Sequence, residues 1–231
     1  MANEILSYFE ACKREGGSLQ KGMNYRMGGS YSVFLMSVRK NAPYRDRVED
    51  DGSTLIYEGH DVPRGNRVKN PKSFDQPEFT RSGKLTENGK FHLVAQEYKQ
   101  ERREPEPVRV YEKIHPGIWS YNGLFLLVDS WKESDGKRKV FKFKLNSVDE
   151  DISGATTPAT IWAKPSRRII PTSVKQEVWK RDGGKCVKCR ATDELHFDHI
   201  IPFSKGGSSL VAENIQLLCA RHNLEKKDKI E

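Results

Sequence analysis

Two short pairs of metal-binding residue types near the C-terminus constrain this 231-residue chain more than any other feature. Cys186 and Cys189 form a C-x-x-C sequence, and Cys219 and His222 form a second pair with the same two-residue gap. A turn carrying two thiolates, completed by a second pair, supplies the four tetrahedral ligands of a zinc ion. Four protein ligands leave no open position for water, so we predict a structural Zn²⁺ that this small unit needs for folding.

The alternatives for these residues are a disulfide or four unrelated positions. Three of the four cysteines lie in this stretch, and Cys12 is predicted to be a small apolar residue on a helix face. Because this cysteine set comes with no apolar N-terminal leader, we expect a reducing compartment rather than a disulfide framework.

A second set of polar residues lies between and beside the two pairs: Asp198, His199, Asn214 and Asn223. The segments around them predict a strand (LHFDHII), a Gly/Ser loop, a second strand (IQLLC) and a helix (ARHNLEKKDK). A neutral imidazole can take a proton from water near pH 7, and Asp and Asn oxygens suit Mg²⁺. These residues therefore indicate phosphodiester hydrolysis at a hard metal site, distinct from the soft zinc site.

The succession D-H-I-I-P, G-G, E-N-I-Q-L-L-C and N-x-x-K resembles the signature of the HNH nuclease family, with its ββα-metal fold. The resemblance implies that His199 is the general base, that Asp198 and Asn223 hold one catalytic Mg²⁺ (or Mn²⁺), and that Asn214 orients the His199 ring. Strict alternation would separate Asp198 from His199, so we expect the strand to twist or end there. His196 is expected to be a surface histidine. A metal-stabilised fold without activity is the alternative.

Composition favours a polyanionic partner. The net charge is +8 and the isoelectric point is about 9.2, with most of the excess in the last third of the chain. The hydrophobic fraction of 35% suffices for globular cores, and no run approaches membrane-spanning length, so we expect no membrane association.

The N-terminal two thirds predict a different kind of structure. Residues 1–16 contain NEILSYFEACKR, which predicts one amphipathic helix ended by Gly16 and Gly17. From residue 25 to 148, short β-rich runs alternate with polar loops; ENGKFHLVAQEYKQ predicts a helix, and KESDGKRK predicts a hairpin with a D-G turn. We therefore expect a β-dominated domain, a curved sheet or a barrel.

The runs GGSYSVFLMS, YRDRVEDDGSTLIYEGHD, LTENGKFHLV, PVRVYEKI and WSYNGLFLLVDSWKESDGKRKVFKFKL resemble, in this order, the SRA (YDG) domain family. That resemblance implies a β-barrel-like domain that flips a modified cytosine out of duplex DNA. Carried over, Tyr44 and Tyr57 sandwich the flipped base, while Asp46 and Glu58 grip its Watson–Crick edge. Stacking suits flat rings, and the cytosine amine suits a carboxylate. Core packing is the alternative for either tyrosine.

The chain departs from the SRA pattern at three places. Arg47 stands where a second Asp is common, Glu58 where Thr is, and Tyr121-Asn122-Gly123 replaces Tyr-Asp-Gly. The preferred modification, 5-methyl or 5-hydroxymethyl, therefore stays open.

We expect an α+β protein of two domains. An SRA-like DNA-binding domain spans 1–148, a linker spans 149–170, and a zinc-stabilised HNH endonuclease domain spans 171–231. Thr172 or Ser173 is expected to cap the first helix of the last domain, which Gly183 ends. Trp162 is expected to anchor the linker, and Arg167 and Arg168 either contact phosphate or remain solvated.

This fusion resembles the modification-dependent (type IV) restriction endonucleases of bacteria. The resemblance implies a cytoplasmic enzyme that cuts double-stranded DNA near modified cytosine, as a homodimer if both strands are cut. Two alternatives stay open: a non-catalytic reader of modified DNA, and an HNH nuclease or nickase indifferent to modification.

Overall fold

The computed structural model describes residues 3–27, 31–39, 41–49, 52–65, 68–148 and 169–230. These ranges form a large β-rich sheet with helices on it, followed by a small ββα unit, so the predicted α+β class is confirmed. The sheet domain contains β1 (Ile5–Ser7), α1 (Tyr8–Arg14), β2 (Met23–Asn24), β3 (Ser32–Met36), β4 (Arg47–Glu49), β5 (Thr54–Glu58), α2 (Glu87–Lys99), β6 (Glu106–His115), β7 (Ile118–Ser134) and β8 (Lys139–Ser147). The second unit contains α3 (Thr172–Asp182), β9 (Leu195–His199), β10 (Ile215–Cys219) and α4 (Ala220–Lys226).

The large sheet is open rather than closed into a barrel. Its described strands run in the order β2-β3-β6-β7-β8-β5-β4, and β1 adds to β7. Strands β3 and β6 are parallel, whereas the other pairs are antiparallel. The sheet packs against α2 around a core that includes Phe34, Phe91 and Phe143. The expectation of a barrel-like closure is therefore corrected for the described residues.

The N-terminal segment is a strand followed by a short helix, not the single helix that the sequence favoured. Ile5 and Leu6 pair with Ser120 and Trp119 of β7, and α1 begins only at Tyr8. Ser7 and Glu10 form a capping box, in which each side chain bonds the other's backbone N–H, and this fixes the helix start. The helical spacing misled because Phe9, assigned to the apolar face, is 75% exposed.

Two local predictions in the sheet domain are confirmed. Helix α2 begins after Thr86, whose hydroxyl accepts the N–H of Gly89. The D-G turn joins β7 to β8: the Asp135 carboxylate accepts the backbone N–H groups of Lys137 and Arg138, and Gly136 has φ +95°.

The second unit has the predicted strand, loop, strand and helix. Strands β9 and β10 are antiparallel, with His199 opposite Ile215. Helix α3 packs on β10 and ends at Gly183 in the left-handed conformation, as expected. Its N-cap is Pro171, with no side-chain capping bond, so the prediction that Thr172 or Ser173 caps it is wrong.

The end of the predicted linker belongs to the folded cores. Ile169 packs in the core of the large sheet and Ile170 in the core of the ββα unit, which corrects the linker boundary at residue 170. Residues 149–168, with Trp162, Arg167 and Arg168, lie outside the described residues, so the rest of the linker assignment stays a prediction. No described helix combines the length and the apolar character that crossing a bilayer requires.

Candidate functional site

The four predicted zinc ligands converge. The ligand atoms of Cys186, Cys189, Cys219 and His222 all lie within 4.8 Å of one another. Sγ of Cys189 is 3.8 Å from Sγ of Cys219, and Nδ1 of His222 is 3.3 Å from Sγ of Cys186 and 3.4 Å from Sγ of Cys219. Around a tetrahedral zinc ion, sulfurs are roughly 3.8 Å apart and sulfur and nitrogen roughly 3.5 Å apart. The cluster therefore fits Zn²⁺ bound through Nδ1 of the histidine.

The local backbone positions the predicted zinc ligands and favours ionisation of the Cys186 thiol. Cys219 ends β10 and is the N-cap residue of α4, which places His222 within the first turn of that helix. Burial opposes ionisation of Cys186, but backbone N–H donors from Cys219, Cys189 and Lys188 outweigh it and lower its pKa to about 6. A thiol that ionises this readily is suited to metal binding.

The predicted catalytic pair lies at the end of β9. Asp198 is paired across the sheet with Gln216, whose side-chain amide is 3.4 Å from the Asp198 carboxylate. His199 is the last residue of the strand, so the expectation that the strand ends there is confirmed. Asp198 and His199 are both half-buried.

Helix α4 places Lys226 close to Asp198 and His199. Nζ of Lys226 is 3.1 Å from Oδ2 of Asp198 and donates to the His199 carbonyl at 2.6 Å, and the side chain is 1% exposed. Asn223 lies one helical turn before Lys226 and is half-buried, so it shares that face of the helix. A carboxylate and an amide oxygen on neighbouring elements fit a hard divalent cation in donor chemistry.

The His199 ring is held by the loop between the strands. Nε2 of His199 is 2.8 Å from Oγ of Ser209, a residue only 2% exposed. This contact fixes the ring orientation through one nitrogen. Ser209 was not among the predicted site residues, since one serine within a Gly/Ser loop carries no distinguishing signal in the sequence.

Asn214 bonds the backbone of the same loop. Its Oδ1 accepts the N–H of Ile201, and its amide donates to the carbonyls of Ile201 and Ser208. Both polar groups of the Asn214 side chain therefore bond the backbone of this loop. Asn214 thus holds the two ends of the loop that presents Ser209, and its role in orienting the His199 ring stays a prediction.

The same loop requires glycine at position 207 for steric reasons. A Cβ atom there would lie 1.7 Å from the Ile201 carbonyl oxygen and 2.8 Å from the Asn214 amide nitrogen. The loop backbone and the Asn214 side chain therefore leave no room for any larger residue.

His196 lies inside, contrary to the expectation of a surface histidine. It is 5% exposed and forms a β-bridge with Glu4 of the N-terminal segment. Burial lowers its pKa, and its Nδ1 has no hydrogen-bond partner among the described residues.

In the large domain, Tyr57 is a buried residue. It is 1% exposed, its ring packs 4.3 Å from Phe34, and its hydroxyl donates to the Leu35 carbonyl. These contacts favour the core-packing alternative, and the stacking of Tyr57 on a flipped base stays a prediction.

Asp46 and Glu58 are close together and both buried. The Asp46 carboxylate accepts the backbone N–H groups of Ser37 and Glu58, while Glu58 pairs with Nζ of Lys142 at 2.9 Å. Burial raises the pKa of Asp46 to about 7, against the lowering effect of those two N–H donors. Asp46 thus positions Glu58, and the gripping of a base by Asp46 itself stays a prediction.

Tyr44 is half-buried and has an unexpected partner. The His60 ring stacks on it with centroids 5.7 Å apart, and Nζ of Lys72 lies 4.3 Å from its centroid. The His60 ring also contacts Tyr57, at 6.5 Å. Burial lowers the pKa of His60 to about 4, so this imidazole is neutral at pH 7. A flat neutral ring therefore occupies the face of Tyr44.

A buried arginine with one guanidinium nitrogen unpaired within the described part of the chain adjoins these residues. Arg138 is 1% exposed in its side chain and bonds Asp61 at 2.6 Å through Nη1. Its Nη2 is 3.8 Å from Glu58 and has no hydrogen-bond partner among the described residues. The sequence placed Arg138 in a polar hairpin turn, so only the fold could show that it turns inward.

The two domains match known families. Residues 14–151 match the SAD/SRA domain, and residues 186–229 match the HNH endonuclease. The first match spans more than half of the chain, which therefore belongs to the SAD/SRA domain family and carries an HNH endonuclease domain after it. The protein is a DNA endonuclease.

Solved structures give more distant likenesses. The SUVH5 SRA complex with hemimethylated CG DNA is 26% identical, with a TM-score of 0.44 and coverage of 65% of this chain and 89% of that chain. The type IV phosphorothioation-dependent restriction endonuclease ScoMcrA is 15% identical, with a TM-score of 0.44 and coverage of 99% and 55%. No curated protein matches the chain significantly.

Replacement of Cys186 by Ser should remove the zinc and unfold the ββα unit, because the metal supplies folding free energy that this small core lacks. Metal analysis should find one zinc per wild-type chain and none in the variant. Thermal unfolding should begin at a lower temperature in the variant, while Cys12→Ser, made as a control, should leave metal content and unfolding unchanged.

Gly207→Ala should displace the loop that holds Ser209 against His199. We expect single-turnover cleavage to fall about 10²-fold, the cost of small misplacements in active sites, with DNA binding retained. Gly206→Ala is the control, since a Cβ there meets nothing within 4 Å and only the φ of +85° is strained. Wild-type cleavage by Gly207→Ala would contradict this account of the loop.

Proposed function

We propose that this chain is a modification-dependent DNA endonuclease. Its SAD/SRA domain binds duplex DNA that carries modified cytosine, and its HNH domain hydrolyses a phosphodiester bond nearby. The observation that carries the proposal is the ββα unit, in which the zinc ligands and the pair Asp198 and His199 occupy separate ends of the same short strands. Because this unit is joined to an SAD/SRA domain, one chain combines a nuclease domain with a DNA-binding domain.

We assign the proton transfer to His199. Its imidazole would take the proton from the attacking water, and the contact between Nε2 and Oγ of Ser209 holds the ring. Ser209 keeps the ring in place, and Asn214 keeps the loop of Ser209 in place. Asp198 and Asn223 would hold a divalent cation, Mg²⁺ or Mn²⁺, which supplies positive charge at the scissile phosphate.

We assign a positioning role to Lys226. Its ammonium contacts both Asp198 and the backbone of His199, so it fixes the carboxylate relative to the base. The N-x-x-K spacing puts Asn223 and Lys226 on one helix face, and both therefore act on the end of β9.

Base flipping into the SAD/SRA domain is the finer part of the proposal. Tyr44 offers a stacking face, and the His60 ring that covers it has the flat shape of a small heterocycle. A flipped cytosine would take the place of the His60 ring, and Asn88 would continue to hold the His60 backbone. Nη2 of Arg138 and the carboxylate of Glu58 then supply a donor and an acceptor for the base.

The remaining expectations follow from this activity. One active site per chain implies a homodimer, or two bound copies, wherever both strands are cut. As a restriction activity the enzyme would act on incoming DNA in the bacterial cytoplasm. The base recognised is 5-methylcytosine or 5-hydroxymethylcytosine.

Cleavage of matched duplexes in Mg²⁺ or Mn²⁺ tests the proposal. The duplexes carry plain cytosine, 5-methylcytosine or 5-hydroxymethylcytosine at one site. We expect wild-type protein to cut modified DNA preferentially, and His199→Ala to lose at least about 10²-fold in rate while still binding.

Each other outcome identifies an alternative. Equal cutting of all three duplexes would show a nuclease indifferent to modification. Binding of modified DNA without any cutting would show a non-catalytic reader.

Tyr44→Ala should weaken binding of the modified duplex alone. Loss of one stacked ring costs about 1–3 kcal/mol, which is roughly 5- to 150-fold in Kd. Plain DNA should bind as before, since phosphate contacts supply that affinity. Tyr44→Phe keeps the ring and is the matched control. Equal weakening for both duplexes in a binding titration would place the base elsewhere.

A further inference from the structure

The two domains share one apolar core. Ile114 at the end of β6 belongs to the buried cluster of the ββα unit, together with Val174 and Val178 of α3. Ile5 of β1 and Ile118 of β7 pack against the same cluster. Residues of the DNA-binding domain thus complete the core of the nuclease domain, as subunits do at an obligate interface.

A buried polar cluster lies at the same junction. Nζ of Lys175, from α3, donates to Glu112 of β6 and to Asn122 of β7, at 2.7 Å in each case. Asn122 also donates to Glu112 at 3.0 Å, and the Thr172 hydroxyl donates to the other Glu112 oxygen. Lys175 and Glu112 are 0% and 1% exposed. Asn122 occupies the place of the acidic residue in the Tyr-Asp-Gly pattern, so this departure coincides with the contact to the nuclease domain.

The N-terminal segment connects the two sheets through backbone hydrogen bonds. Asn3 and Glu4 bond Tyr121 of β7 at 2.7 and 2.8 Å. On its other side, Asn3 accepts the N–H of Phe197 of β9 at 3.0 Å, and Glu4 forms a bridge with His196. Strand β9, which ends in the catalytic pair, is therefore tied to the long strand of the DNA-binding domain.

The apolar contacts and the polar contacts contribute differently to the docking of the two domains. Apolar burial holds the domains together but tolerates sliding, whereas hydrogen bonds to a buried charge require one geometry. In any shifted arrangement, Lys175 or Glu112 would stay buried without its partner, which is strongly unfavourable. The polar cluster therefore selects a single orientation of the nuclease relative to the DNA-binding domain.

We propose that the Lys175, Glu112 and Asn122 cluster, with the N-terminal strand, fixes the distance between the base that is read and the bond that is cut. This inference rests on the proposed function for its meaning in DNA, but the docking itself does not. The connecting segment 149–168 then does not determine this distance, because the interface between the two domains, and not the length of the segment, positions the active site.

Cut-site mapping tests this inference on a long duplex with one modified cytosine. Wild-type protein should cut within a window of one or two nucleotides. Ten Gly/Ser residues inserted between Thr157 and Pro158 should leave that window unchanged. Lys175→Glu places like charges together at Glu112, and should spread the cuts over at least a fivefold wider window. Lys180→Glu, the same charge change at an exposed position of α3, should cut as wild type does.

A spread window after the insertion alone would overturn the inference, as would a narrow window in Lys175→Glu. Should Lys175→Glu fail to fold, Asn122→Leu is the second variant. It removes the side-chain bonds to Lys175 and Glu112, and we expect it to widen the window by a smaller factor.

Small-angle scattering without DNA separates this inference from the proposed function. The wild-type and Lys180→Glu proteins should have the same radius of gyration, and Lys175→Glu with the insertion should be larger. Loss of preference for modified DNA would refute the proposed function while leaving this comparison intact. An insertion variant with Lys175 intact that expands as much would refute the docking.

Discussion

The pairing of β7 is the constraint on which the rest of the structure depends. This strand of 17 residues bonds β6 on one side and β8 and β1 on the other, so its backbone groups are satisfied along most of its length. Because β1 continues into the segment that pairs with β9, the same strand supports the DNA-binding sheet and orients the nuclease. Glu112 of the neighbouring strand β6 and Asn122 of β7 itself both bond the buried ammonium of Lys175.

The nuclease unit shows how a small fold holds a reactive group. Two five-residue strands bury little surface, and zinc bound by the Cys3His cluster at one end would compensate for the small core. The other end carries the chemistry, where a loop limited by Gly207 and held by Asn214 brings Ser209 to His199. Structural and catalytic metal sites can therefore differ in ligand type without competing for residues.

The region around Tyr44 contains several buried charged side chains. Buried charges on Glu58, Arg138 and Lys142 offset one another, yet one guanidinium nitrogen has no bond among the described residues. Buried donors are normally satisfied, so such a group indicates strain or a missing partner. His60 meanwhile shields the ring of Tyr44, which would otherwise expose an apolar face.

The sequence by itself determined the zinc ligands, the ββα order, helix α2, the D-G hairpin and the position of His199. Each of these depends on local spacing or on turn chemistry, which short segments encode. The tertiary structure alone decided the burial of Tyr57, the loop-holding role of Asn214, the partnership of Ser209 with His199 and the inward turn of Arg138. It also revealed the Lys175 cluster, which joins residues more than fifty positions apart. Contacts of that kind depend on how elements pack, and periodicity along one segment cannot specify them.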